Sequence, residues 1–194
     1  MILKRIFDII LSALAIFLFF PVLLIVSFLI IIDSGFPIFF LQKRIGRGAK
    51  VFNIIKFRTM KINNDNITIT VSDDNRITRV GKYLRKTKID ELPEILNVLF
   101  GQMSFVGPRP DVKGYADKLK GVNRKILALR PGITGPASLK YYNEEYILSN
   151  KSNPKKYNDE VIFPDKVKIN LDYFYNRSFV LDLKIIFATI FRIF

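Results

Sequence analysis

The sequence has no cysteine and no histidine in its 194 residues. Without cysteine there is no disulfide framework and no thiolate nucleophile. Without histidine the commonest general base and the commonest zinc ligand are both missing. Acid–base and nucleophilic work therefore falls to Asp, Glu, Lys, Tyr, Ser or Thr. Acidic residues are also in short supply. Seventeen Asp and Glu stand against 31 Lys and Arg, a formal charge of +14. Such an excess points to an anionic partner: nucleic acid, anionic lipid or a phosphorylated substrate. The cations are not laid along one helix and no nucleic-acid motif is present, so a nucleic-acid partner is not expected.

Charge is missing altogether from Ile9 to Ile32. A run of that length can span a bilayer. It is too long for a signal peptide, and no small-residue cleavage site follows it. Pro21, near its middle, breaks or kinks a helix. Lys4 and Arg5 precede the run, and Lys43, Arg44, Arg47 and Lys50 follow it, so the positive-inside rule gives no direction. Two arrangements satisfy these facts: a tilted span with a proline kink, or a re-entrant helix that bends at Pro21 and leaves on the side it came from. The length fits one compact domain beside this segment, and no repeat or linker divides the chain.

What is present centres on residues 85–110, RKTKIDELPEILNVLFGQMSFVGPRP. Ile89, Leu92, Ile95, Leu96 and Leu99 recur at steps of three and four, which predicts a helix with one stripe on a core. Gly101 sits where that helix stops. Thr87 or Asp90 serves as its N-cap, and Pro93 fits the first turn. Asp90 and Glu91 then lie at a helix N-terminus, where a carboxylate stays ionised. They are either capping residues or a nucleophile and metal ligand.

A β-hairpin is predicted over 37–60, with Gly46 and Gly48 in its reversal. Lys56 and Arg58 project from one face of the second strand, as a diphosphate grip or a solvated edge. Residues 61–76 read as a polar surface loop and 77–87 as a short basic helix. The loop Gly107-Pro108-Arg109-Pro110 fixes Arg109 with little entropy left to lose. Arg109 there is either a phosphate clamp or the partner of Asp90 or Glu91 in a salt bridge. A helical segment, roughly 111–129, leads to a second rigid loop, Arg130-Pro131-Gly132-Ile133-Thr134-Gly135. Residues 143–160 read as a helix and loop on the aqueous side. The closing stretch, LDLKIIFATIFRIF, is too short to span and reads as an interfacial or core helix, with Leu183, Ile186, Ile190 and Phe194 on one side.

KRIFDIILS near the start, KFRTM at 56–60, DELPEILNVLFGQMSFVGPRP at 90–110, RPGITG at 130–135 and SFVLDLKII at 178–186 resemble the bacterial sugar transferases. More narrowly, they resemble the small monotopic phosphoglycosyl transferases, over nearly the whole chain. The resemblance implies an α+β mixed, membrane-associated fold. Residues 1–36 would form a re-entrant membrane helix hairpin broken at Pro21. Residues 37–194 would form a catalytic domain with interfacial helices at the cytoplasmic face of the bacterial inner membrane.

It also implies the reaction: a phospho-sugar passes from a UDP-sugar to polyprenyl (undecaprenyl) phosphate, giving polyprenyl-diphospho-sugar and UMP. Asp90 corresponds to the nucleophile, forming a covalent phospho-sugar intermediate, and Glu91 to its partner carboxylate, which positions or deprotonates the acceptor. Mg²⁺ is implied at the dyad with Asp90 as a ligand. Lys56, Arg58, Arg109, Pro110 and Arg130 are the expected substrate-binding residues, and Asp172 an acidic residue near the site. Two features depart from the family. Phe20 stands before Pro21 where many members carry Ser, and GPASLKYYNEE replaces a GxAQ-type sequence. The rival reading is a non-catalytic basic adaptor bound to anionic lipid.

Overall fold

A computed structural model describes residues 2–61 and 76–193. The polar loop expected over 61–76 lies almost wholly outside those residues. The fold mixes helices with two small two-stranded sheets.

The uncharged run forms one helix, α1 (Ile2–Ser34), which continues through Pro21 instead of stopping there. It is the one helix among the described residues long and apolar enough to cross a membrane. Its two ends are docked and its middle is not. Near the start, Asp8 and Ser12 are buried on one stripe with Lys4 and Arg5. The guanidinium of Arg5 donates to the carbonyls of Val98 and Leu99 at 2.6 and 2.8 Å. Asp8 accepts from the Ser104 hydroxyl and the Phe105 amide, both at 3.2 Å. Near the other end, Val26 and Ile30 pack with Phe57 and Leu84. Between them Leu14, Phe17, Leu18, Leu24 and Ile25 are exposed, Phe17 at 81%. The KRIFDIILS motif is thus a docking stripe on one helical face.

The hairpin forms as expected. β1 (Phe39–Ile45) runs antiparallel to β2 (Val51–Phe57), with Phe40 opposite Lys56. Gly48 has φ +68°, which the reversal needs. Gly46 serves differently: a Cβ there would meet the Phe52 ring at 2.9 Å. α2 (Arg79–Lys86) is the short basic helix, capped by the Thr78 hydroxyl, which accepts from the Gly81 amide at 2.9 Å. α2 crosses the end of the hairpin so closely that a Cβ on Gly81 would stand 2.1 Å from the Thr59 carbonyl oxygen.

After α3 (Glu94–Leu99) comes β3 (Ser104–Val106), which pairs in parallel with β4 (Gly132–Thr134). The helix expected over 111–129 is instead two 3-10 stretches, Ala116–Lys118 and Gly121–Ala128. Gly114 and Gly121, at φ +108° and +56°, interrupt the α conformation. Three short helices, α4 (Pro136–Lys140), α5 (Glu144–Ser149) and α6 (Pro154–Tyr157), lead through a π turn into α7 (Phe163–Asn176).

The last helix, α8 (Phe179–Ile193), turns Asp182 and Ile185 inward, while Val180, Phe187, Ile190 and Phe191 are exposed. That is the pattern of an interfacial helix. Its inner face differs from the expected apolar stripe because Asp182 is buried against Lys4 at 2.6 Å and bonded by the Tyr173 hydroxyl. Lys4 also donates to the Val106 carbonyl at 2.9 Å, which ties α1, β3, α7 and α8 into one knot.

Candidate active site

The stretch around Asp90 is not the continuous helix that its periodicity predicts. Thr87 is the C-cap of α2, its hydroxyl bonded to the Tyr83 carbonyl. Lys88 then takes a left-handed conformation, φ +57°, and Ile89–Glu91 form a 3-10 turn. Pro93 is the N-cap of α3, where its ring and missing N–H begin a new helix. Neither Thr87 nor Asp90 is an N-cap here, so the capping reading of Asp90 falls. The face of α3 most deeply buried is Glu94, Asn97 and Val98, with Leu96 and Leu99 only half-buried. Asn97 explains that face. Its amide donates to the Asn53 carbonyl at 2.8 Å and accepts from the Ile55 amide at 2.9 Å, pinning α3 to β2.

β2 therefore delivers Lys56 to the dyad. Its ammonium lies 2.6 Å from Glu91 Oε1 and 3.3 Å from Glu94 Oε1. Arg109 reaches the same Glu91 oxygen at 2.9 Å and stays 47% exposed. One carboxylate oxygen thus gathers both cations. Burial alone would raise Glu91; Arg109 and Lys56 outweigh it and hold the carboxyl well below the usual carboxylate range. Asp90 shifts the other way. Burial, then the charge of Glu91, raises it, so its ionisation is not protected as a helix N-terminus would protect it. Asp90 Oδ1 is buried with no hydrogen-bond partner among the described residues.

The loop that carries Arg109 is built by the RPGITG segment. The amide of Gly107 donates to the Thr134 carbonyl at 2.9 Å, and that of Gly132 to the Pro108 carbonyl at 2.8 Å. A Cβ on Gly132 would lie 2.2 Å from the Gly107 nitrogen, so the two chains meet backbone to backbone. This motif scaffolds the Arg109 loop. Pro110 is buried, and its carbonyl accepts from Arg44 at 3.3 Å.

Three expected site residues are elsewhere. Arg58 is 5% exposed, and its guanidinium donates to the carbonyls of Ser34 and Phe36, each at 2.8 Å. It closes the C-terminal end of α1, where free carbonyls and the helix dipole favour a cation. It does not share a diphosphate grip with Lys56. Arg130 donates to the Gly101 carbonyl at 2.9 Å, beyond the opposite end of α3 from the dyad, and lines a separate basic groove of 520 Å³ with Arg47 and Lys50. Asp172 is exposed on α7 and accepts from Asn176 at 2.7 Å, with no hydrogen bond or ion pair to the dyad among the described residues.

Other residues at the site were not anticipated. Glu94 is 2% exposed, and burial followed by the charge of Glu91 pushes it up to about 7. Arg44 is bonded to Gln42 at 2.6 Å and stands near Arg109. Asp111, which follows Pro110, is pushed up to about 6 by burial. Its surroundings include Lys166, paired with Glu144 at 2.5 Å. The available signals were the i+4 step from Asp90 to Glu94 and the acid directly after Pro-Arg-Pro.

No group of three or more potential ligands is gathered for a metal among the described residues. The donor set nevertheless fits Mg²⁺. That ion takes one or two carboxylates and completes its octahedron with water and phosphate oxygens. The unpartnered Asp90 Oδ1 is such a carboxylate oxygen.

An apolar helix docked at both ends, beside carboxylates and cations crowded on one turn, is the setting in which the family match applies. The chain belongs to the bacterial sugar transferase family, whose model matches residues 1–194. It is 36% identical over 197 residues to the UDP-glucose:undecaprenyl-phosphate glucose-1-phosphate transferase of Klebsiella pneumoniae, covering 99% of this chain and 40% of that protein. It is 37% identical over 201 residues to the exopolysaccharide production protein PSS of Rhizobium leguminosarum bv. phaseoli, covering 98% of this chain and 94% of that one. A UDP-N-acetylgalactosamine-undecaprenyl-phosphate N-acetylgalactosaminephosphotransferase of Aeromonas hydrophila is 36% identical, with 96% and 42% covered. The chain therefore spans two fifths of the length of the Klebsiella and Aeromonas relatives and nearly all of the Rhizobium one.

Proposed function

We propose that this protein is a phosphoglycosyl transferase that moves a phospho-sugar from a UDP-sugar to undecaprenyl phosphate, through a covalent intermediate on Asp90. The observation that carries the reading is the buried, unpartnered Asp90 Oδ1 beside a Glu91 that gathers Lys56 and Arg109. The Klebsiella and Aeromonas relatives are named for sugar-phosphate transfer to undecaprenyl phosphate.

In this mechanism an Asp90 carboxylate oxygen attacks the β-phosphorus of the donor. The bond from that phosphorus to the bridging oxygen breaks, and UMP leaves with the oxygen. A phosphate oxygen of undecaprenyl phosphate then attacks the same phosphorus and releases Asp90, the two-step logic of covalent catalysis. Arg109 is anchored by Glu91 yet half-exposed, and so has donors left for phosphate oxygens. Lys56 offsets the negative charge between the dyad and the donor. Glu91, held ionised, is a poor base; its role is to position the two cations. The acceptor phosphate is largely ionised at neutral pH, with a second pKa of about 6, and needs no strong base. Mg²⁺ bound at Asp90 would supply charge neutralisation for the diphosphate oxygens.

The same reading makes α1 a re-entrant helix that bends at Pro21, with the site on the cytoplasmic face of the inner membrane. Its support is that both ends of α1 dock on one body while an exposed apolar stretch lies between them. Because the chain has no cysteine, single-cysteine variants at positions 2 and 36 label cleanly. Both should react from the cytoplasmic side only; labelling of either from outside sealed cells would rule out the bend.

The function itself is tested by UMP release from a panel of UDP-sugars with undecaprenyl phosphate and Mg²⁺. Release with at least one donor is expected, strictly dependent on the lipid for continued turnover. A folded protein inactive on every donor would instead favour the anionic-lipid adaptor.

A further inference from the structure

We propose that Glu94 is a positioning residue of the donor site: it holds Lys56 between two carboxylates and takes up a proton when the diphosphate of a nucleotide donor arrives. The proposal rests on the transferase reading above and goes beyond it, because nothing in that reaction assigns Glu94 a part.

The side chain of Glu94 is 3% exposed, and its Oε1 is buried without an aligned hydrogen bond. The nearest cation is Lys56, at 3.3 Å, already committed to Glu91 at 2.6 Å. A buried carboxylate with so little compensation is costly when charged. The groups that act on it come from four elements: Glu91 on the 3-10 turn, Lys56 on β2, Arg109 in its loop and Arg44 on β1. Arg44 is already bonded to Gln42 and to the Pro110 carbonyl.

The charge count decides the sign. Asp90, Glu91, Glu94 and Asp111 oppose Lys56, Arg109, Arg44, Lys88 and Arg85, so with every group ionised the site has a surplus of a single positive charge, too little for a diphosphate. A diphosphate brings at least two negative charges into this crowd. Neutralising Glu94 removes one of them from the most desolvated position. It also frees the Lys56 ammonium from its second partner, so that the cation can turn to the donor. Glu94 is poised for this exchange: burial at 3.3 Å from a Lys56 already committed to Glu91, then the charge of Glu91, pushes its carboxyl up to about 7. Below that pH it is already neutral and donor binding takes up no proton. Above it, each binding event must draw a proton from solution, so affinity falls as pH rises.

UDP is the probe, because it carries the diphosphate and binds without turnover. Its second phosphate ionisation, at about 6, is complete in the range used. Calorimetry on the full chain in detergent, from about pH 7.5 to 9, should show the wild-type Kd weakening about tenfold, within the limit of one decade per pH unit for a single coupled proton. Glu94→Gln keeps the shape without the charge. Its Kd should be nearly flat over the range and tighter than wild type at the alkaline end. A merely structural role would not flatten the profile, and parallel profiles in the two proteins would overturn the proposal. A second measurement needs no variant: wild-type titrations in buffers of different ionisation heat should reveal uptake of about half a proton or more near pH 8. Zero uptake overturns it as well. If UDP binds neither protein at any pH, the transferase reading fails and this proposal with it, which separates that failure from the failure of Glu94 alone.

Discussion

Asp90→Asn is expected to abolish both UMP release and covalent capture of the donor, a loss of at least about 10³-fold in turnover, as for other nucleophiles removed from a working site. Asparagine keeps the shape of the side chain and removes the attacking charge. The fold should tolerate it, because Asp90 Oδ1 has no partner to lose and burial already disfavours its ionised form. The thermal midpoint should therefore stay level or rise slightly. Incubation with donor radiolabelled in the sugar, without undecaprenyl phosphate, should leave label on the peptide that holds Asp90 in the wild type and none in the variant. Label that persists in Asp90→Asn, or near-normal turnover, would remove Asp90 from the nucleophile's role while leaving the family assignment untouched.

The largest effect on stability is expected at Asp182. Its carboxylate is 6% exposed on the side chain, paired with Lys4 at 2.6 Å and bonded by the Tyr173 hydroxyl. Asp182→Ala strands the Lys4 ammonium in a site sealed by Val106 and Tyr173. Breaking a buried pair from one side costs about 3–5 kcal/mol, because the remaining charge has no compensation. Chemical unfolding in micelles should read that loss, together with exposure of α1 to protease near its start. The double variant Lys4→Met, Asp182→Leu should recover most of it, since an apolar replacement of the whole pair avoids the desolvation penalty. If the single variant were as stable as wild type, the knot between α1 and α8 would not hold the two together.

Much of the fold was legible because its signals are local. The uncharged run announced α1, and the alternation around Gly46 and Gly48 announced the hairpin, register aside. The dyad stretch was legible in position but not in shape. Its three-and-four spacing is genuine, yet Pro93 restarts the helix and Lys88 reverses the backbone, so Asp90 sits on a tight turn and its acidity moves the opposite way. Alternation could not say what either side chain meets: Lys56 meets Glu91, and Arg58, one residue past β2, meets the end of α1. Glu94 was missed because a charged residue on a helix ordinarily reads as solvent-facing. The role of RPGITG depends on a parallel pairing between strands of three residues each, far apart in sequence, and no periodicity in so short a run could announce it.

Strand β2 carries one further implication. Lys56, which pairs with Glu91, and Arg58, which fastens the end of α1 just past the strand, are two residues apart, or about 6–7 Å along the chain. On the proposed reading, the cation of the dyad and the membrane helix are thus geared together. A shift in how deeply that helix sits in a bilayer would then reach the dyad through this short span. On the same reading the hairpin would set the height at which an acceptor phosphate meets Asp90, and turnover should respond to bilayer thickness.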